Sequence, residues 1–566
     1  MKAIISFFYK NFLLGKKRWH NLSPKERIYI ASSFLFILVG LIFLLNALLN
    51  KITVIKPDYN GSLKLGIVGR PSHINPILTK SNDCDRELIE LIYDGLYSID
   101  GKGQLIPELA DKVEISEDKK TYILFLKENV LWHDGVPFTA DDVIFTIETI
   151  QDPKFQSPLR LNWEGVVVEK LSNYALRFNL KTSYEPFLQN LTLKIIPKHI
   201  WENIEPYSFS LADYNLKPIG TGPYLFESLE KNKSGKIINY YLSANKNYFI
   251  KTPYLSKIIF RFYDNYNSAK EGLLKNEVEG FSPLIIEDVN FFGSKKGIKI
   301  SSLSLPRYYA VFFNLKKTLF QKKEIRQALD LAISREELTK EILSNQALPL
   351  AGPISPGFFG YNSDLKNDYS PAEAKKIIDQ FLSSDSKKEN SENSEGKIKF
   401  TLSLPENLEL IKVANYLKDA WEKIGINVEL EILPLNELEK QVIQTRSYDA
   451  LLFGEIIGQD SNLLSFWHSS QANDSGLNLS SFQNKELDKL LEETWQIDDK
   501  EKQEQNIKRI QEILKENKPA IFLYNPYYLY ILPKKIKGNE IKYANLPSER
   551  LADIENWYIF TKRTLK

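Results

Sequence analysis

Hydrophobic and polar positions along the chain fall into four patterns, and each predicts a different kind of element. The first is a continuous apolar run over residues 28–49, IYIASSFLFILVGLIFLLNALL, with no charge. At 1.5 Å per residue it makes a helix of roughly 33 Å, enough to cross a bilayer core. Being apolar on every side, it lacks the single stripe of a helix packed on a soluble core. The second pattern is the strand: residues 63–68, 121–126, 307–315, and the alternating Ile398, Phe400, Leu402, Leu404 and Val428, Leu430, Ile432. The third is helical spacing, as in Leu88, Ile89, Leu91, Ile92 and Leu96 within 85–96, or Ile325, Ala328, Leu329 and Ala332 within 323–333. The fourth is the absence of apolar residues over 383–396, SSDSKKENSENSEG, which predicts a disordered surface insertion.

Turn and cap chemistry sharpens these elements. His133-Asp134-Gly135 reads as a turn, with Gly135 supplying the positive φ. Thr139 follows as an N-cap, with Asp142 at N3 to close a capping box and Phe138 and Val143 placed as a staple. Asp152-Pro153 stops the helix whose stripe is Val143, Ile147 and Ile150. Ser334 with Glu337, and Ser370 before Pro371, open two further helices, and Gly425 closes a third. A rival reading of His133 and Asp134 as an acid–base pair lacks a nucleophile nearby in sequence. Residues 397–454 alternate as βαβαβ. In such open sheets the ligand crevice lies off the carboxyl ends of the strands, which points to residues 454–468.

Charge and composition narrow the function. The 566 residues carry a net charge of +2, giving a nucleic-acid role no electrostatic support. Cys84 is the single cysteine, so an intramolecular disulfide and a cysteine-rich metal site are excluded. The five histidines, His20, His73, His133, His199 and His468, are scattered, and neither a metal nor a cofactor is expected. Ahead of the apolar run stand Lys2, Lys10, Lys16, Lys17, Arg18, Lys25 and Arg27 against Glu26 alone. The positive-inside rule then puts the N-terminus in the cytoplasm and residues 51–566 outside, as in a single-pass cell-membrane protein. A cleaved signal peptide is the alternative; it calls for a shorter basic region and an A-x-A-like site. A lipoprotein would need a cysteine directly after the run, and Cys84 comes too late. Phe7, Phe8, Phe12, Leu13 and Leu14 in the leader fit an interfacial amphipathic helix.

Several motifs together resemble one known family. WHDGVPFTADDVIFT over 132–146, followed by Asp152-Pro153, is similar to the signature of the extracellular solute-binding proteins of peptide ABC transporters, the oligopeptide- and dipeptide-binding family (family 5). Pro107, Leu109, Ala110, Val113, Ser116, Asp118, Thr121, Tyr122 and Leu126 fit its preceding strand pattern, with Leu124 where the family has Phe. Gly220-Thr221-Gly222-Pro223-Tyr224 matches its G-T-G-P-Y, read here as a backbone crossing between lobes with glycine at tight φ. The stretch 312–338, FFNLKKTLFQKKEIRQALDLAISREEL, matches its F-N…R-Q-A-L…A-I pattern.

The resemblance, spanning about residues 63–530, implies a mixed α/β, two-lobed Venus-flytrap fold with an extra small α+β region, behind one N-terminal transmembrane helix. The implied division is a leader at 1–27, a signal anchor at 28–49 and a tether at 50–62. Lobe 1 takes 63–96, 213–303 and 527–566, with a small domain at 97–212, and lobe 2 takes 304–526. It also implies a monomeric, non-enzymatic receptor that captures peptides in the cleft and hands them to ABC permease subunits. Family binders hold the peptide's amino terminus on an Asp shortly after a G-W. Here the run is Gly454-Glu455-Ile456-Ile457-Gly458-Gln459-Asp460, with Glu455 in place of the Trp. Asp460 is the candidate for the ammonium, with Glu455 as substitute and a loop cap as the bland alternative. Gly454, Ile456, Trp467, Tyr308, Tyr309 and Asn314 from lobe 2, and Ser72, Ile74 and Asn75 from the first loop of lobe 1, complete the candidate cleft. Trp467 fits a core aromatic better than a ligand-stacking one. Three other functions remain open. A non-peptide solute such as an oligosaccharide or a metal complex is the first, and a sensor or chaperone on the same fold the second. The third is a hydrolase using Glu455 and Asp460, for which no nucleophile motif appears.

Overall fold

A computed structural model describes residues 23–79, 82–100, 104–182, 187–385, 398–458, 461–473, 476–497 and 499–565. Most of the basic leader, the bulk of the 383–396 insertion, and Asp460 lie outside the described residues. The chain divides into two compact units, one running up to Asp58 and resuming at Ile559, the other Tyr59–Tyr558.

The first unit contains the helix Pro24–Ile52, 29 residues long and apolar enough to cross a membrane. The stretch read as a polar tether is in part a strand, Thr53–Asp58, paired antiparallel with Phe560–Leu565 from the C-terminus. The C-terminal strand therefore belongs with the helix rather than with lobe 1. Pairing of strands so distant in sequence leaves no local signal: alternation in Thr53–Asp58 is interrupted by Lys56 and Pro57.

The second unit is built on three main sheets. The largest runs, in spatial order, Ile298–Leu303, Tyr528–Pro533, Gly280–Ser282, Ser62–Val68, Lys257–Tyr263, Ile237–Ala244, Tyr224–Lys231. Ser62–Val68 is parallel to both of its neighbours, and the outer pairs are antiparallel. Beside it, Ala110–Ile115, Thr121–Leu126, Ala175–Leu180 and Val166–Ser172 form a four-stranded antiparallel sheet. The third sheet has the order Ala347–Pro349, Ala520–Pro526, Arg307–Phe313, Ala450–Ile456, Ile398–Pro405, Ile426–Leu433. It carries a core on each face. One face packs Ile325, Leu329, Leu417 and Trp421, and the other packs Trp467, Leu487, Leu491 and Ile510. The helix Pro371–Asp385 continues through Ser383, so the insertion begins later than its composition suggests.

The WHDG and GTG motifs turn out to be two halves of one lock inside lobe 1. The N-terminal end of the helix Ala140–Gln151 forms as expected, with Asp142 accepting the Thr139 backbone N–H at 2.9 Å. The same carboxylate also accepts the Lys198 N–H at 2.9 Å, which ties the cap to a distant segment. His133 sits between the two glycines: the Gly220 N–H donates to its Nδ1 (3.2 Å), and its Nε2 donates to the Gly222 carbonyl (3.0 Å). Burial lowers its pKa to about 4, so the ring is neutral and can serve as donor and acceptor at once. The expectation that G-T-G crosses between lobes at a tight φ is corrected: neither glycine sits at positive φ. What they need is space. A Cβ on Gly220 would lie 1.7 Å from the Ile92 carbonyl oxygen, and one on Gly222 2.6 Å from the Ile92 carbonyl carbon. That closeness lets the Gly222 N–H reach the Ile92 carbonyl at 2.9 Å and Thr221 reach Asp94 at 2.7 Å.

The two kinds of glycine predict different losses. Gly220→Ala drives a methyl into backbone and is expected to cost roughly 3 kcal/mol or more. Gly135→Ala, at φ +89° with open space around it, is expected to cost about 1–2 kcal/mol from conformation alone. Urea unfolding of the two variants beside the parent checks the order; equal losses would contradict it.

Candidate binding cleft

The lobe-2 sheet supplies the geometry of a site. Ile398–Pro405, the first strand of the βαβαβ unit, has Ile426–Leu433 on one side and Ala450–Ile456 on the other, both parallel to it. The chain thus leaves the central strand in one direction and returns on the other side, a topological switch point. Pairing of Ile398–Pro405 with Ala450–Ile456 is confined to Leu402–Ala450 and Ser403–Leu451. Past these pairs the ladder stops and the two strands part, the place where an open sheet is expected to hold its ligand.

Arg307–Phe313 runs antiparallel beside Ala450–Ile456, with Tyr309 opposite Gly454, Tyr308 opposite Glu455 and Arg307 opposite Ile456. Directly opposed residues share a face, so the candidates divide between the two sides of the sheet. On one side Tyr309 stacks on Tyr524, ring centroids 5.2 Å apart, above Gly454, where a Cβ would come within 2.7 Å of the Tyr309 ring. Ile456 on this side is exposed. On the other side Tyr308 and Glu455 are buried and hydrogen-bonded to each other, Tyr308 donating. Trp467 is buried there too, between Phe312 and Phe522. Asn314 lies past the far end of the same strand, where its amide donates to the Arg446 and Tyr448 carbonyls at 3.1 and 2.8 Å. The structure therefore brings Tyr309, Gly454 and Ile456 together, places Tyr308, Glu455 and Trp467 beneath them, and sets Asn314 apart. Asp460 is outside the described residues; Gly458 and Ser461 flanking it have φ of +72° and +55°.

In lobe 1, Ser72 is exposed and donates through its backbone N–H and hydroxyl to Asp85, at 2.7 and 2.9 Å. Ile74 and Asn75 are buried behind it, the Asn75 amide bonded to Asn215 at 3.2 Å. Ser72 opens onto a cavity of about 760 Å³ whose walls include His73, Asp85, Phe155 and Tyr207.

Five residues join this site that sequence reasoning missed. At the start of the helix Leu408–Lys423, the Glu409 carboxylate accepts the Tyr524 hydroxyl at 2.8 Å. Burial raises its pKa, and the Tyr524 bond and the Arg307 charge oppose the rise. One turn on, Lys412 pairs with Glu287 of lobe 1 at 2.6 Å, beside Ile286, which packs against the lobe-2 core. Tyr309, half-buried and backed by the fully buried Tyr524, so forms an aromatic platform with the Arg307 cation and the Glu409 anion beside it. The strand-end rule that picked out residues 454–468 applies equally to the end of Ile398–Pro405, and would have found Glu409 there. Glu287 and Tyr524 carry no comparable signal.

Two chain crossings join the lobes: Leu303 to Arg307, and Pro526 to Tyr528. Asn525 donates to the Leu305 carbonyl at 2.7 Å and to the Ser355 hydroxyl at 2.6 Å, and the Ile457 N–H donates to the Pro306 carbonyl at 2.9 Å. The crossings are thus bonded to each other and to the strand end that carries Glu455.

The profile of the bacterial extracellular solute-binding proteins, family 5 Middle, matches residues 104–475. The oligopeptide-binding protein AppA of Bacillus subtilis (strain 168) is 27% identical over 514 residues, 89% of this chain and 92% of that protein. Its structure with a nonapeptide superposes with a TM-score of 0.65, covering 89% of this chain and all of that one. The ABC transporter substrate-binding protein CtaP of Listeria monocytogenes, also 27% identical and with the same coverage, gives a TM-score of 0.76. The dipeptide-binding protein of Escherichia coli (strain K12) is 24% identical over 503 residues, 83% of this chain and 90% of that protein.

Burial pushes the Glu455 carboxyl up to about 8 from an ordinary 4.5, against the Tyr308 bond and the Arg446 charge. Between these values the folded state holds a proton that the unfolded state has lost. This group's contribution to stability therefore falls as pH rises from 4.5 to 8 and is flat above. Glu455→Gln is expected to leave stability unchanged near pH 4.5 and to raise it at pH 8 by on the order of 3 kcal/mol. Urea midpoints at the two pH values check this; a difference from the parent that does not vary with pH would contradict it.

Proposed function

Because the chain belongs to the bacterial extracellular solute-binding proteins of family 5, we propose that it is a peptide receptor that captures its ligand between the lobes. It then delivers the peptide to the permease of an ABC importer. The observation that carries the reading is the platform at the lobe-2 switch point: Tyr309 and Tyr524 stacked, with Arg307 and Glu409 at its edge and Lys412 reaching Glu287 of the other lobe. An extended peptide offers a main chain for strand-edge pairing and charged ends for such groups. Cleft water between side chains and walls lets one site take many sequences. The paired crossings are the hinge about which the lobes close.

Asp460 holds the peptide's amino terminus in this reading, and Glu409 is a second carboxylate available to the ligand. The names of the relatives, oligopeptide- and dipeptide-binding proteins, support a peptide ligand. The helix Pro24–Ile52 anchors the receptor in the cell membrane, N-terminus inward, and keeps it near its permease. The protein acts as a monomer and turns nothing over.

Native mass spectrometry of the full-length protein in detergent, with sequencing of what denaturation releases, tests the reading. Heterogeneous short peptides are expected. Asp460→Ala is expected to weaken binding roughly 10- to 100-fold, the value of a hydrogen-bonded charge. A single sugar or metal-complex mass would instead assign a non-peptide solute. An empty protein without a thermal shift in a peptide mixture would overturn the receptor reading.

A further inference from the structure

The two-stranded ribbon that follows the apolar helix has no core of its own, and an isolated ribbon of this size is marginal in water. It starts directly where the helix ends, Ile52 to Thr53, and its partner strand returns from the C-terminus to the same point, with Leu565 opposite Thr53. Arg563 reaches back to the helix end, donating to the Asn50 side chain at 2.8 Å.

The two faces of the ribbon differ. Opposed residues share a face, so Thr53, Ile55 and Pro57 lie with Leu565, Arg563 and Thr561. On this face Ile55 is 59% and Leu565 75% exposed, with Arg563 between them at the helix-proximal end. The other face carries Val54 and Phe560, 39% and 51% exposed, but also Lys56, Asp58 and Lys562; it differs from the first in holding a carboxylate, Asp58, ion-paired with Lys562 at 3.0 Å. Across the ribbon and the last helical turn, Lys51, Lys56, Lys562 and Arg563 stand against Asp58 alone.

We propose that the Ile55–Arg563–Leu565 face lies in the outer headgroup layer of the membrane, its apolar side chains at the acyl boundary and Arg563, with Lys51 of the last helical turn, on lipid phosphates. The inference rests on the membrane-anchored reading above and adds to it that the C-terminal strand returns to the bilayer. Two physical facts favour lipid as the occupant. The face is continuous with a helix sized to span the bilayer, which fixes its level at the interface. Apolar residues interleaved with Arg and Lys are also the composition that binds anionic interfaces. The opposite, ion-paired face then remains in water.

The test uses the full-length protein in vesicles of phosphatidylglycerol and phosphatidylcholine, with a polarity-sensitive dye on Leu565→Cys or, for comparison, Phe560→Cys. Native Cys84 is buried and its thiol pushed up in pKa, so it does not compete for the dye. Flotation reports the anchor, and quenching reports the ribbon. The expected result is flotation, with blue-shifted emission and quenching by headgroup-depth spin-labelled lipid at position 565 and less at 560. Substituting both Lys51→Gln and Arg563→Gln should shift position 565 toward quenching by aqueous iodide. Flotation with position 565 as open to iodide as position 560 overturns this inference and leaves the anchor standing. Failure to float overturns the anchor and the inference together.

Discussion

The cleft depends on two chain crossings that share one set of hydrogen bonds. Each lobe completes its sheet with a strand from either side of the boundary: Ile298–Leu303 leads into Arg307–Phe313, and Ala520–Pro526 into Tyr528–Pro533. Lobe 2 is one continuous piece of chain inserted into lobe 1 and joined to it at both of its ends, so it cannot drift without working against both crossings. Asn525, wholly buried, bridges them by holding the Leu305 carbonyl at 2.7 Å. A buried amide that loses such a partner is expensive, and the relative position of the crossings is correspondingly well defined. Beyond them the lobes meet through Ile286 and Tyr543, which pack against the lobe-2 cores, and through the exposed Lys412–Glu287 pair. Such an exposed pair contributes little in water.

Topology then decides where ligand chemistry can sit. The strand order of lobe 2 opens a gap where Ile398–Pro405 and Ala450–Ile456 part. Tyr309 and Tyr524 cover the lower layer, and Glu409 is held at the edge by a tyrosine hydroxyl. Beneath the sheet the polar residues have a different task. Glu455 is held neutral at physiological pH because its burial outweighs the Tyr308 bond and the Arg446 charge. It behaves as a hydrogen-bonding core group rather than as a charge offered to a ligand.

Lobe 1 is pinned by buried polar locks. The His133 ring between Gly220 and Gly222, Asp142 between Thr139 and Lys198, and Arg550 against Glu87 at 2.7 Å each join segments far apart in sequence. Buried ion pairs are weak evidence of net stability, since desolvation consumes most of their attraction. Their effect is on uniqueness: a neutral imidazole that must accept from one glycine and donate to another admits one arrangement of the two loops. This is why WHDG and GTG, so far apart in the chain, act as one element.

Local pattern was enough for whatever a residue's near neighbours decide. Alternation found the strand Thr121–Leu126, cap chemistry found the start of the helix Ala140–Gln151, and positive φ at Gly135 and Gly425 follows from their turns. The apolar run and the βαβαβ order were legible for the same reason, and with them the fold class. What only the tertiary structure decided are relations that sequence spacing does not encode. Gly220 is glycine because Ile92 passes 1.7 Å from where its Cβ would be, not because of its own φ. Tyr308 and Tyr309, adjacent in sequence, fall on opposite faces of one sheet: one enters the core with Glu455, the other stacks at the rim with Tyr524. Thr53–Asp58 is a strand because Phe560–Leu565 comes back to pair with it. In each case the deciding partner is hundreds of residues away or on the next strand. A hydrogen bond or a steric contact acts only at the distances folding creates.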